Sequence, residues 1–150
     1  HYSSRRQRQM CIRDRNLIQE DGPEENQGKG RQMLAAAATK IARQLKVPGM
    51  LVITRKGRGA TKMSNLRVRG IPIFAFTESE KTISTLMLLR GVYPYLLKFD
   101  EDPELTIQNA LRLLKKKQDM PSGISIVVVA DIMTGEGYVN CLQVRTLPED

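Results

Sequence analysis

Residues 50–66 read MLVITRKGRGATKMSNL, and this stretch decides the fold. Met50-Leu51-Val52-Ile53 is a short apolar run rich in branched side chains, as a buried strand requires. At Thr54 the run breaks into a loop carrying Gly57 and Gly59, and from Ala60 the residues become helix-competent. Strand, glycine loop and helix start, in that order, are the layout of an anion-binding turn. Six basic residues lie between Arg55 and Arg69 with no acid among them: Arg55, Lys56, Arg58, Lys62, Arg67 and Arg69. The candidate ligand site is therefore placed here.

Working outward, Arg31–Lys46 carries Leu34, Ala37, Ala38, Ile41 and Leu45 at three- and four-residue spacing, which predicts a helix. The four alanines 35–38 suit a helix packed closely on something flat, and Val47-Pro48-Gly49 ends it. After Gly70, the continuous run Ile71–Phe76 predicts a strand covered on both faces. Thr77-x-x-Glu80 reads as a capping box for a helix with Ile83, Leu86 and Met87 as its buried stripe, closed by Gly91. Val92–Leu97 is a third strand. Asp102-Pro103-Glu104 combines a capping acid, a first-turn proline and a second acid against the dipole. The helix it starts buries Ile107, Ala110, Leu111 and Leu114 and ends on Lys115-Lys116-Lys117. Ile124–Asp131, ISIVVVAD, is the most strand-like run. Ile132–Gly137 reads as a loop and Tyr138–Leu147 as a last strand. Alternating strands and helices imply an α/β fold: a three-layer α/β/α sandwich over a five-stranded, mostly parallel sheet. The short final connection makes the last strand antiparallel.

The two ends of the chain differ in kind. In residues 1–15, the string RRQRQMCIRDR from Arg5 to Arg15 matches, residue for residue, the translation of a common sequencing-library adapter. These residues are expected to be an artefact without structure; the rival is a basic targeting or nucleic-acid-binding arm. Residues 16–30 are polar, with Gly22-Pro23 and Gly28-Lys29-Gly30, and read as a linker. The natural domain is then 31–150. Setting aside 1–15 removes five Arg and one Asp, and the net charge of the remainder falls from +8 to +4. It also removes His1 and Cys11, leaving no histidine and only Cys141. Internal disulfides, zinc clusters and His-dependent triads are thereby excluded. No apolar run is long enough to cross a membrane.

Phosphate binding asks for free backbone N–H groups, hydroxyls and cations. Gly57 and Gly59 at a helix start supply the first, Thr54 and Thr61 the second, Lys56 and Arg58 the third. The plain alternative is a tight turn with its cations in water. The carboxylates Asp100, Glu101, Asp102 and Glu104 offer a divalent-cation site, although helix capping accounts for them more cheaply.

From about Met33 to Leu147 the pattern resembles the C-terminal domain of pyruvate kinase. Ala35–Ile53 is similar to that family's Ala-rich helix leading into a strand. Thr54-x-x-Gly57-x-x-Ala60 resembles its Thr-x-Ser-Gly-x-Thr-Ala loop, and Ile73–Thr77 its strand ending in Ala-Phe-Thr. Arg90-Gly91-Val92-Tyr93-Pro94 resembles its Arg-Gly-Val-x-Pro, and Val139–Val144 its closing strand. Plastid-type and bacterial-like members look nearest. The resemblance implies a regulatory and assembly domain with a sugar-phosphate effector site formed by Thr54, Lys56, Gly57, Arg58, Gly59, Thr61 and the late loop glycines Gly135 and Gly137. It implies a homotetrameric full enzyme in the cytoplasm or a plastid, which converts phosphoenolpyruvate and ADP to pyruvate and ATP with Mg and K. The catalytic barrel has no match here, so this chain needs no cofactor and is expected to be inactive alone. The family's loop serine is Lys56 here, the residue before Ala60 is Gly59, and Val68 replaces a proline. Ile132–Gly137 lacks the Trp and Arg of strongly regulated animal members. Two other classes compete: a free-standing module for a phosphorylated metabolite, and a nucleic-acid-binding domain. The second is weaker because no row of aromatics interleaves the cations.

Overall fold

Met50–Ile53 (β1) pairs in parallel with both Ile73–Thr77 (β2) and Ser125–Thr134 (β4), Val52 lying opposite Ala75 on one side and Val129 on the other. A strand between two others, buried at every residue, needs an unbroken apolar run, and MLVI and IFAFT are such runs. This is a computed structural model, which describes residues 23–134 and 137–150. Arg31–Asp150 forms one compact unit. The expected artefact 1–15 and residues 16–22 of the expected linker lie outside the described residues. From Pro23 the described chain is helical, in the helix Pro23–Leu45 (α1).

The other elements are Arg58–Asn65 (α2), Glu80–Leu86 (α3), Val92–Leu96 (β3), Pro103–Gln118 (α4) and Gly137–Thr146 (β5). The sheet order is β3-β2-β1-β4-β5, parallel except for the antiparallel β4–β5 pair. Edge strand β3 tolerates Pro94 because one of its sides needs no ladder donor.

Two cores form, one on each face of the sheet. On one face Ala35, Ala38 and Ala42 of α1, Ala60 and Met63 of α2 and Leu86 of α3 cover Met50, Val52, Ala75 and Val127. On the other, Ile107, Ala110, Leu111 and Leu114 of α4 cover Leu51, Phe74, Phe76 and Val128. The fold is thus the expected three-layer α/β/α sandwich.

Details differ from the sequence reading for identifiable reasons. The buried stripe of α1 is Ala35, Ala38, Thr39 and Ala42, while Leu45 is exposed. Small side chains let the helix approach the sheet, with Ile41 packed half-buried at the margin of the core. The cap of α3 is Ser79, whose hydroxyl accepts from Thr82 N, not Thr77. Thr77 is still the last residue of β2, paired with Leu96. The buried positions of α3 are Thr82 and Leu86, with Met87 exposed, because the helix ends at Leu86. Of the expected loop Ile132–Gly137, residues 132–134 are strand: β4 runs on through Thr134, which pairs with Gly137 of β5.

Candidate functional site

β1 and β4 are neighbours, yet the chain leaves β1 for β2 on one side and reaches β4 on the other. Where the strand order reverses in this way, the helices diverge and a crevice opens at the carboxyl ends of the strands. Ile53 ends β1 there, and Ala130 is its partner on β4. Both candidate segments of the sequence reading lie on this edge. The loop 54–57 follows β1 directly. The β4–β5 hairpin continues four residues beyond Ala130, which at about 3.3 Å per residue carries the Thr134–Gly137 pair about 13 Å past β1.

The loop after β1 is tightly tied. Thr54 N continues the ladder to Phe76 O at 2.9 Å. Gly57 N donates to Thr54 Oγ1 and the Thr61 hydroxyl donates to Gly57 O, both at 2.8 Å. The carbonyl of Arg55 accepts from Thr82 Oγ1 at 3.1 Å and Thr77 Oγ1 at 3.4 Å. The two candidate threonines therefore shape the turn, and Thr54 is buried. Gly57 caps α2 at φ 81°, and a Cβ there would stand 3.2 Å from Leu86 Cδ2. Only glycine meets both conditions. Gly59 lies inside α2, with ordinary space around it. Helical geometry leaves the N–H groups of Arg58, Gly59 and Ala60 without carbonyl partners in α2, and the exposed Lys56 and Arg58 flank them. Gly137, at φ 129° and exposed, closes the hairpin. Gly135 lies outside the described residues.

On the α4 side of the same crevice is a cavity of about 230 Å³, lined among others by Arg55, Phe99, Asp100, Glu101 and Asp131. The Arg55 guanidinium lies 5.4 Å from the Phe99 ring centre and 3.4 Å from Glu78. Asp131 is paired at 3.5 Å with Arg31 of α1. Burial raises the Asp131 carboxyl pKa, against the opposing pull of Arg31, Arg58 and Lys62. The crevice thus has a basic wall at the start of α2 and an acidic wall at the start of α4. The pattern does not single out Arg55 or Asp131, although Asp131 announces itself as the acid ending the run ISIVVVAD.

Asp100 and Asp102 of the acid-rich segment before α4 each give one carboxylate oxygen to a backbone N–H of that segment. Asp102 caps the Glu104 N–H at 2.9 Å, and Asp100 Oδ1 accepts from Asp102 N at 3.0 Å. Among the described residues no group of three or more metal-ligating side chains is gathered. Nor, among them, is any helix long and apolar enough to cross a membrane. Lys115 at the end of α4 is also engaged, donating to Ser122 Oγ at 2.8 Å and Pro148 O at 2.9 Å.

Known proteins match this architecture. The family model described as "Pyruvate kinase, alpha/beta domain" matches residues 32–145. The chloroplastic pyruvate kinase isozyme A of Nicotiana tabacum is 34% identical over 104 residues, 69% of this chain and 17% of that protein. Pyruvate kinase II of Salmonella typhimurium is 32% identical over 116 residues, 76% of this chain and 24% of that protein. Among solved structures, Cryptosporidium parvum pyruvate kinase in complex with ADP superposes with a TM-score of 0.71 at 26% identity, covering 79% of this chain and 24% of that one. The chain spans about a quarter or less of the length of these relatives. The match covers the whole sheet and the helices on both its faces, and the chain belongs to the pyruvate kinase family, as its C-terminal α/β domain.

Proposed function

We propose that the chain is the regulatory and assembly domain of a longer pyruvate kinase and that its crevice takes a sugar-phosphate effector. The observation that carries this is the Gly57 turn, which delivers the N-terminus of α2 to the reversal of strand order beside an acidic cavity. A phosphate gains from the α2 N–H groups, Lys56 and Arg58 at roughly 1.5–3 kcal/mol per charged hydrogen bond. Sugar hydroxyls donate to Asp100, Glu101 and Asp131. One ligand with an anionic end and several hydroxyls answers both walls. After association costs the affinity falls in the micromolar to millimolar range. Gly137 belongs to the hairpin that flanks the site. Assembly is supported by β5, a ten-residue edge strand with Val139 and Val144 about half exposed.

On this reading catalysis, with its Mg and K, belongs to the barrel of the parent enzyme, which acts on phosphoenolpyruvate and ADP as a homotetramer. The chain alone is inactive. Relatives named as chloroplastic support a plastid, and the cytoplasm is the alternative. Calorimetry tests the effector site, with a sugar bisphosphate and with inorganic phosphate. Binding should weaken as salt rises, vanish in Lys56→Ala/Arg58→Ala and persist in Lys116→Ala/Lys117→Ala, whose lysines are exposed at the far end of α4. Equal binding by the wild type and the Lys56/Arg58 variant would make the loop purely structural.

A further inference from the structure

The opposite edge of the sheet carries a groove of about 570 Å³ at the amino ends of β2 and β3, within the range of small-molecule sites. Its walls are the turn after α2 and the turn before β3. Arg67, Arg69 and Arg90 line it together with Ser64, Ile71 and Tyr93, and no acid lines it. All three arginines are exposed, and none forms an ion pair with a described carboxylate.

The walls are held to one another. Ser64 Oγ of α2 donates to Arg90 O at 2.8 Å, and Ile73 N donates to Gly91 O at 2.9 Å. Arg67 N closes α2 onto Ser64 O at 3.0 Å, with Arg67 itself in the left-handed region at φ 49°. The Tyr93 ring is half exposed and rests 5.9 Å from the centre of Phe74. Three cations are thus gathered on a braced frame without a protein anion to balance them.

We propose that this groove is an anion site for an oligophosphate, two or more adjoining phosphate groups. A guanidinium is a planar fork that meets two phosphate oxygens at once. Three of them match a chain of phosphates in charge and in number, whereas a single phosphate leaves some unused. One aromatic ring beside one groove does not make the stacking row of a nucleic-acid face. The phosphate chain comes either from an inorganic oligophosphate or from a nucleotide whose base lies on Tyr93. This site lies at the other edge of the sheet from the effector crevice and stands independently of it.

The test is calorimetry of the whole chain carrying Lys56→Ala/Arg58→Ala, which removes the crevice cations. Inorganic tripolyphosphate should bind, and orthophosphate at least about tenfold more weakly. Arg67→Ala/Arg69→Ala and Arg90→Ala should each weaken tripolyphosphate by about tenfold or more, one charged hydrogen bond being worth that much, with the melting temperature unchanged. If an alanine variant does not fold, Arg67→Lys/Arg69→Lys and Arg90→Lys replace it. They keep the charge, lose the fork, and should still weaken binding measurably. Adenosine triphosphate forms the second arm. Tighter binding than tripolyphosphate, with the gain lost in Tyr93→Ala, names the nucleotide as the source, and equal binding names the phosphate chain. No tripolyphosphate binding, or unchanged binding in folded arginine variants, would overturn the proposal. So would mixed-sequence single-stranded RNA binding that these variants abolish while tripolyphosphate binding stays absent.

Discussion

At the scale of the residue, the two loop glycines look alike in sequence and behave oppositely in the structure. Gly57 holds φ 81° with Leu86 crowding the place of a Cβ, whereas Gly59 is helical and a Cβ there would rest 3.6 Å from Val52 Cγ1. Gly57→Ala should therefore destabilise by at least about 1–2 kcal/mol from backbone strain alone. Gly59→Ala should stabilise by about 0.4–1 kcal/mol by restricting the unfolded chain. Denaturant titration of both variants checks this, and two shifts of the same sign would contradict it. Asp131 has a comparable asymmetry: it looks like the end of an apolar run but lies inside β4, beside the cations of the crevice, which only spatial neighbours reveal.

At the scale of the element, β5 is tied to α4 by charge. The Arg145 guanidinium donates to both carboxylate oxygens of Glu104, one of them at 2.8 Å. Hydrogen bonds from Arg145, then from Gln108, hold the Glu104 carboxyl at a pKa of about 2, below its usual 4.5. A depressed carboxyl stabilises the fold above its unfolded pKa, and the contribution is lost as pH falls from about 4.5 towards 2. Glu104 is nearly half exposed, so solvent screening keeps the effect below about 1 kcal/mol. Glu104→Gln should flatten stability against pH across that window and leave the slope above pH 5 unchanged. Urea denaturation at a series of pH values measures it, and identical acid slopes would show the pair to be inert.

At the scale of the whole molecule, the sheet separates two cores that share no side chains. Leu86→Ala, below one face, should cost about 2–5 kcal/mol, and Ile107→Val, above the other, about 0.5–1.5 kcal/mol. The two losses should add within about 0.5 kcal/mol, because no shared neighbour can relax for both. Ile107→Val with Leu111→Ala, in one core and one turn apart, should depart from additivity. A double-mutant cycle reads both cases, and strong coupling across the sheet would mean that the cores are not independent.

The fold was legible in the sequence because its signals are local. Unbroken apolar runs can only be strands covered on both faces, alternation with helices makes them parallel, and a short last connection reverses β5. Asp102-Pro103-Glu104 started α4 as expected, since a cap needs only its own next residues. Two misreadings depended on distant partners. Thr77 resembled a cap until its pairing with Leu96 kept it in β2, and 132–134 resembled loop until β5 paired with them. At the candidate site, Thr54, Lys56, Gly57, Arg58, Gly59 and Thr61 fall within one short stretch of sequence, so they could be proposed together. Arg55, Asp100 and Asp131 converge from three separate segments, and the three arginines of the opposite groove from two turns. Periodicity and capping chemistry thus determined the elements and their order. Which charges share a crevice was decided only by the tertiary structure, because that depends on how strands far apart in the chain are set side by side.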